Sequence, residues 1–254
     1  MEIIYGVIFF TFGLFLGSFF NVVGMRLPKG ESIIKPSSHC TTCNHKLSFW
    51  ELIPVVSFII QKGRCRHCNA KLSIFYPFVE LFTGLLFLIA YYSFGFSGEL
   101  ALALGIISLF MIVLVSDLNY FIISDEVIIF FSLYFIIIQF IRLGFLGGAN
   151  QILNGVLMVI IMFSLMKLGN ALFKKESLGG GDVKLMFLLG LVLDPILGIF
   201  SIFLSSLLAL PISFVVLLTK KENIIPFGPF ILLSFLLLFF MKITGLDFLS
   251  FLGM

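Results

Sequence analysis

The sequence is short of charge. Asp, Glu, Lys and Arg make up only 11% of its 254 residues, against about 25% in a soluble domain, while 60% of the chain is apolar. That shortage excludes a water-soluble globular enzyme. Histidine is scarce too: His39, His45 and His67 all fall in one short polar stretch. No Ser-His-Asp set, HExxH helix or phosphate loop can be assembled from what remains. A basic segment is missing before the first apolar run, and the stretch LFLGS (14–18) offers no cleavage site. The N-terminal run therefore reads as a retained helix rather than a secretory signal. No internal repeat, charge block or low-complexity linker is apparent, and nothing calls for a nucleic-acid partner.

What the chain does have is apolar length. Crossing roughly 30 Å of hydrocarbon takes about 20 residues of helix. Candidate spans cover 3–25, 78–96, 100–116, 127–141, 152–173, 183–193, 196–218 and 225–241. The expected fold is an all-α polytopic membrane protein of about eight transmembrane helices, with a small cytoplasmic zinc-ribbon-like insertion between the first two. Three parts follow: a first helix (1–23), a loop domain (24–76) and a seven-helix membrane domain (77–254).

Lysine and arginine orient the spans, because cytoplasmic loops are enriched in them. The long polar loop holds Arg26, Lys29, Lys35, Lys46, Lys62, Arg64, Arg66 and Lys71. With that loop in the cytoplasm, alternation also puts Lys174, Lys175, Lys184, Lys220 and Lys221 inside, leaving Arg142 and Lys242 outside. An even number of spans with both termini outside is expected.

All four cysteines lie in the loop, as Cys40-Thr-Thr-Cys43 and Cys65-Arg-His-Cys68, 21 residues apart. Paired CxxC turns at such a spacing suit zinc, and the reducing cytosol argues against disulfides. Four thiolates close the coordination shell, so the metal expected is structural. It would also help a loop of about fifty residues that has little apolar core of its own. The neighbouring histidines are expected beside the metal rather than on it. Trp50 to Pro54 and Tyr76-Pro77 are expected to pack the loop against the membrane face, with Glu80 just inside the next helix.

Most carboxylates, including Glu2, Glu99, Glu222 and Asp247, border spans and need no special account. Asp117, Asp125 and Asp182 are harder to dismiss. Alternation puts Asp117 at the inner end of the third span and Asp182 at the inner start of the sixth, on one side of the membrane. A helix cap is the simplest role for Asp182 and for Asp125. A cap does not explain Gly179-Gly180-Gly181, whose use is to let a backbone approach closely. Because the apolar run after Asp182 is short, the glycines are expected as irregular backbone drawn into the membrane. Two aspartates sharing a site suggest hydrolysis without a cofactor, one protonated and one acting as base. Helix dipoles give a weak basis for telling them apart, since Asp182 starts a helix and Asp117 ends one.

With these residues in order, the chain resembles the bacterial type IV prepilin peptidases, GxGD aspartic membrane proteases. The resemblance covers LGSFFNVVGMRLP (16–28), both CxxC pairs, WELIPVVSF, YPFVEL, Asp117 with Asp125, the GxGD run 179–182 with Lys184, and IPFGPF. Ser124 stands where relatives commonly have proline. The resemblance implies a catalytic pair, Asp117 and Asp182, with Gly179, Gly180, Gly181, Lys184 and Asp125 positioning substrate or loop. It implies zinc on Cys40, Cys43, Cys65 and Cys68. It also implies S-adenosylmethionine as methyl donor for the new N-terminus, prepilins or pseudopilins as substrates, and a place in the bacterial inner membrane. The readings in competition are an ion- or proton-coupled transporter or secretion scaffold, and an intramembrane protease of the presenilin kind.

Overall fold

The computed structural model describes residues 1–174, 179–219 and 225–243. Of the charged residues named so far, Lys175, Lys220, Lys221, Glu222 and Asp247 lie outside the described residues. Among the described residues eight α-helices follow one another: α1 (Glu2–Arg26), α2 (Val56–Ile60), α3 (Phe75–Phe94), α4 (Gly98–Tyr120), α5 (Asp125–Phe173), α6 (Gly180–Val192), α7 (Pro195–Thr219) and α8 (Gly228–Ile243). Among the described residues there is no strand, only two isolated antiparallel bridges.

Among the described residues five helical stretches are long and apolar enough to cross a membrane, Glu2–Lys29, Phe75–Phe94, Gly98–Tyr120, Asp125–Leu172 and Pro195–Val216, with Gly228–Met241 a shorter apolar helix. Helix α5 has 49 residues, which at 1.5 Å each is about 73 Å, more than twice the hydrocarbon thickness. It does not run straight. Gly144 sits at φ 70° and ψ −174°, a conformation open to glycine, and divides α5 into two arms. The arms carry the expected spans 127–141 and 152–173. Outward-facing Ile3, Phe12, Ile199 and Phe203 are at least half exposed, an apolar surface suited to lipid. The chain is a membrane protein.

The chain forms two compact units, Met1–Phe96 and Ser97–Met254. In the first, α1 and α3 meet through glycines. A Cβ on Gly13 would lie 2.8 Å from the Gly84 Cα, and one on Gly17 would lie 2.8 Å from the Glu80 Cα. Small residues at such a crossing let two backbones touch where lipid supplies no hydrophobic drive.

The loop between α1 and α3 contains a repeat that the bare sequence hid, correcting the expectation of none. HCTTCNHKLS (39–48) and RCRHCNAKLS (64–73) fold alike. His39 bridges Lys46, and Arg64 bridges Lys71. Within each copy the first cysteine accepts from an asparagine amide (Asn44 to Cys40, Asn69 to Cys65), at 2.9 Å both times. Those asparagines sit at φ 55° and 57°, the left-handed region that asparagine tolerates well. Asparagine follows CxxC in both copies for that reason.

In the second unit, α4 is buried on nearly all sides, with Ala103, Ile106, Ile107, Leu109 and Met111 fully enclosed. An all-round apolar helix belongs in a core. Helix α6 packs tightly on the second arm of α5: a Cβ on Gly190 would lie 2.6 Å from the Asn154 carbonyl oxygen. Gln139 of the first arm donates to the Leu191 carbonyl at 2.8 Å. Arg142 donates to Gln139 at 3.0 Å and pairs with Glu99. That cluster marks one end of the unit, since α4 runs from Glu99 to Asp117, about 27 Å along its axis.

Candidate active site and metal centre

Opposite the Arg142–Glu99 end, α4 finishes at Tyr120 and Phe121 caps it in the left-handed region. Asp117, in the last turn, is buried, with 6% of its surface exposed. Its Oδ2 accepts the amide of Gly228 at 3.2 Å. Gly228 is the first residue of α8, where a helical N–H has no partner within its own helix. A Cβ on Gly228 would lie 3.0 Å from that Oδ2 and 3.1 Å from Ile123. Glycine is thus what lets the amide come so close.

Asp182 is also buried, at 9% exposure. It does not cap its helix, as the sequence suggested. Gly179 is the N-cap, and Gly180, Gly181 and Asp182 form the first turn of α6. The expected irregular loop is therefore corrected: two of the three glycines are helical, because the short α6 begins one turn earlier than its apolar run. The Asp182 amide donates to the Gly179 carbonyl at 3.2 Å, and the Gly179 amide donates back to the Asp182 carboxylate. Gly181 packs on Ile123, whose side chain would be 3.2 Å from a Cβ there, whereas Gly180 faces open space.

Asp117 and Asp182 meet around one residue: the side chain of Ile123 reaches both Gly228, whose amide Asp117 accepts, and Gly181, which precedes Asp182. Each carboxylate is held by a glycine amide at the start of a helix, α8 for Asp117 and α6 for Asp182. The dipole contrast read from sequence is thereby offset: Asp117 ends α4 but faces the positive end of α8. Gly228 was not singled out as a site residue. Its contribution is a backbone amide 111 residues from Asp117, which leaves no side-chain signal.

Asp125 is no cap either. Ser124 takes the N-cap position of α5, at φ −69°, the value a proline would impose. Asp125 follows it, and its Oδ1 lies 2.5 Å from Lys184 Nζ, with both side chains more than half exposed. The pair ties the start of α5 to the start of α6 and gives Lys184 a partner that the sequence left open.

In the first unit, the four cysteine sulfurs all lie within 4.8 Å of one another. Cys40 and Cys68 are 3.9 Å apart, and Cys43 and Cys65 are 4.0 Å apart. Tetrahedral zinc with bonds of about 2.3 Å separates its sulfurs by about 3.8 Å. The donor set therefore fits a four-sulfur metal centre with one ligand pair from each repeat. Backbone amides of Cys43 and Thr42 lower the Cys40 thiol to about 6. Cys43 also receives the His45 amide, which favours its thiolate, yet burial and the neighbouring sulfurs push it up to about 12. One thiolate is welcome in this cluster and the next is resisted, a conflict that a divalent cation relieves. His45 and His67 touch ring to ring, 4.9 Å between centroids, beside the sulfurs.

Glu80 is more than an interfacial carboxylate. It is buried and accepts the amide of Val55 at 2.7 Å. Val55 sits at φ 60°, a costly conformation for a β-branched residue. Trp50 projects outward, 73% exposed.

Against this geometry, the comparisons with known proteins are specific. The Bacterial Peptidase A24 N-terminal domain matches residues 11–94, and the Type IV leader peptidase family matches residues 102–214. A Bacillus subtilis protein, prepilin leader peptidase/N-methyltransferase, is 36% identical over 87% of this chain and 88% of its own length.

The chain belongs to the type IV leader peptidase family.

Family members of the same printed name from Myxococcus xanthus and Vibrio cholerae are 37% and 30% identical. The first match covers 74% of this chain and 56% of the relative, the second 94% and 98%. No solved structure matches. The two matched regions of the family fall within the two compact units, one in each.

Proposed function

We propose that the protein is an aspartic endopeptidase of the bacterial inner membrane that removes the short leader of type IV prepilins or pseudopilins and then N-methylates the exposed residue. The observation that carries the proteolytic half is the pair Asp117 and Asp182, both buried, each held by a glycine amide, and with Ile123 beside both. Two carboxylates sharing one buried site do not both ionise, so one carboxyl keeps its proton. The ionised one takes a proton from water as the oxygen attacks the scissile carbonyl carbon. The protonated one hydrogen-bonds the carbonyl oxygen and stabilises the tetrahedral intermediate. Collapse breaks the C–N bond, with a proton passing to the leaving amine. The work is that of a pair, and neither member owns a fixed part.

The alternation of lysine and arginine supports eight spans, with residues 24–76 as a cytoplasmic domain. The paired carboxylates then face the cytoplasmic boundary, where a basic leader meets an apolar helix. Gly179, Gly180 and Gly181 with the Asp125–Lys184 pair shape the approach to them. Zinc held by Cys40, Cys43, Cys65 and Cys68 is structural, since four sulfurs leave no open position. The methyl-transfer half rests on what the relatives are named and takes S-adenosylmethionine as donor. A transporter or scaffold role is not favoured, given the family.

The test uses purified protein, a full-length prepilin, and product masses with and without S-adenosylmethionine. Wild type should remove the leader and, with donor, add the mass of one methyl group. Asp117→Asn and Asp182→Asn should insert and fold but leave the leader uncut. Cleavage at the normal rate by either variant would refute the mechanism.

A further inference from the structure

Helix α2 turns its polar side inward. Ser57, Phe58 and Gln61 line a cavity against α1 and α3, while Val56, Ile59 and Ile60 are 47%, 66% and 74% exposed. Those three fall at i, i+3 and i+4, on one face of the helix. A short 3-10 helix, Phe49–Leu52, adjoins α2 and begins with a capping box between Ser48 and Glu51. From it Phe49 and Trp50 project, 71% and 73% exposed, in edge contact at 5.8 Å. Two adjoining elements thus present five large apolar side chains, a cluster that water does not favour. Exposed Lys62, Arg64 and Arg66 follow α2 directly.

Glu80 fixes the level of this cluster. It holds the amide of Val55, where α2 starts, and lies five residues into α3, about 8 Å along the axis from Phe75. On α1 the matching level is Gly17, where a Cβ would lie 2.8 Å from the Glu80 Cα, nine residues or about 13 Å from Arg26. Helical side chains lean toward the N-terminus, so Val55 sits a few ångströms nearer the end of α3 than the Glu80 Cα does. The headgroup layer is about 5–8 Å deep on each face of a bilayer. Helix α2 therefore starts near the boundary between headgroups and hydrocarbon, the depth at which amphipathic helices lie in a membrane surface. Near that level, Phe19 of α1 and Phe78 of α3 are themselves about half exposed, on the apolar surface suited to lipid.

We propose that Phe49, Trp50, Val56, Ile59 and Ile60 form a membrane anchor, sunk into the headgroup–acyl boundary of the cytoplasmic leaflet, with Lys62 and Arg64 on anionic phospholipid headgroups. The choice of leaflet rests on the orientation proposed above. The depth of the cluster selects lipid over a soluble partner, and apolar side chains followed by cations complement an anionic surface. Cys65 comes five residues after Ile60, so the anchor sets the height of the second cysteine pair over the bilayer. The Glu80 carboxylate gains a purpose too, since it ties the anchor to a spanning helix.

Trp50 is the only tryptophan in the chain, so its fluorescence reports the anchor without any substitution. Full-length, metal-loaded protein is placed in nanodiscs of phosphatidylethanolamine and phosphatidylglycerol. Acyl chains brominated near the headgroup or near the tail end quench from the lipid, and iodide quenches from water. Shallow bromine should quench Trp50 more than deep bromine, and iodide should quench it far less than free tryptophan. Brominated phosphatidylglycerol should quench more than brominated phosphatidylethanolamine, and Lys62→Glu with Arg64→Glu should remove that preference. No preference in wild type would strike the cations from the proposal. Burying an isoleucine is worth about tenfold or more in partition. Ile59→Ser with Ile60→Ser, shown to be folded by its unfolding temperature, should therefore lose shallow quenching and gain iodide quenching. Wild type quenched by iodide as fully as free tryptophan overturns the proposal. So does shielding from both iodide and bromine, which would mean that protein covers the face. Wild-type quenching in the folded double isoleucine variant overturns it as well. Proteolysis of intact spheroplasts reads the orientation separately: cleavage within 24–76 would sink the orientation, whereas the nanodisc result is independent of it and decides the anchor.

Discussion

Replacing Gly228 by alanine isolates the support of Asp117 from the support of the fold. The new Cβ would stand 3.0 Å from Asp117 Oδ2, 3.1 Å from Ile123 Cδ1 and 3.2 Å from Val113 Cγ1, where ordinary contact begins at 3.4 Å. The carboxylate must retreat by a few tenths of an ångström, stretching the 3.2 Å bond from the Gly228 amide. A displacement of about 1 Å at a reacting group costs on the order of 10²-fold in rate. A shift of roughly half that size should therefore cost about tenfold. The backbone itself does not object, because Gly228 is not among the residues with positive φ and opens a helix, where alanine is favoured over glycine by up to about 1 kcal/mol. The expected outcome is a kcat about tenfold lower, a KM little changed, and an unfolding temperature no lower than that of wild type. The assay is leader removal from full-length prepilin followed by mass, at several substrate concentrations. Gly228→Val should fall further than Gly228→Ala. A wild-type kcat in the alanine variant would refute the claim that this amide holds the carboxylate in place.

Gly180 makes a contrasting probe, since a Cβ there meets nothing within 4 Å. Gly180→Ala should leave folding intact yet lower kcat/KM about tenfold if the substrate backbone passes over α6; unchanged kinetics would remove the clearance argument. The Asp125–Lys184 pair is exposed, so Asp125→Asn or Lys184→Met should each cost under about 1 kcal/mol of stability. Cleavage should fall a few-fold, and the charge-swapped double variant D125K/K184D should regain part of it; no regain would show that each residue acts alone. Metal analysis of purified protein should give about one zinc per chain, lost in Cys40→Ser and in Cys65→Ser. Clean, active protein without metal would count against the four-sulfur centre.

Which parts could be read from the sequence follows from what kind of atom does each job. The apolar runs mark the long helices because the hydrocarbon sets their length, and the interval between 127–141 and 152–173 contains the Gly144 break. Asp117 and Asp182 stood out because a carboxylate is costly near lipid. Of the glycines that hold them, Gly179 stands out as one of three in a row, and Gly228 only as part of IPFGPF. Gly228 acts through its main chain, and Asp125 meets Lys184 across 59 residues. A cap is the simplest reading of Asp125, and one of two for Asp182, because aspartate before an apolar run is a common helix start. Ser124 and Gly179 take those positions instead, shifting each aspartate into the first turn. Glu80 looked interfacial because nothing local shows that Val55 needs its amide received. The repeat in the loop is faint in the bare sequence because its copies share chiefly Cys, Asn, Lys, Leu and Ser, across an interval of other residues.

That repeat makes the loop a two-fold assembly within one chain. Each decapeptide supplies half of a four-sulfur donor set, so neither would bind a metal tetrahedrally alone, and damage to either would disable both. The shared positions, CxxC, Asn44 with Asn69, and Lys46 with Lys71, carry the geometry and should be interchangeable between halves. Individual character is left to the positions that break the symmetry, Thr41-Thr42 against Arg66-His67 and His45 against Ala70. His45 and His67 are asymmetric and yet in contact, so they mark the seam where two equal halves have become unequal. A chain in which residues 39–48 and 64–73 trade places should keep the four-sulfur donor set and, because the two-fold carries each histidine to the other's side, the contact between the histidines as well.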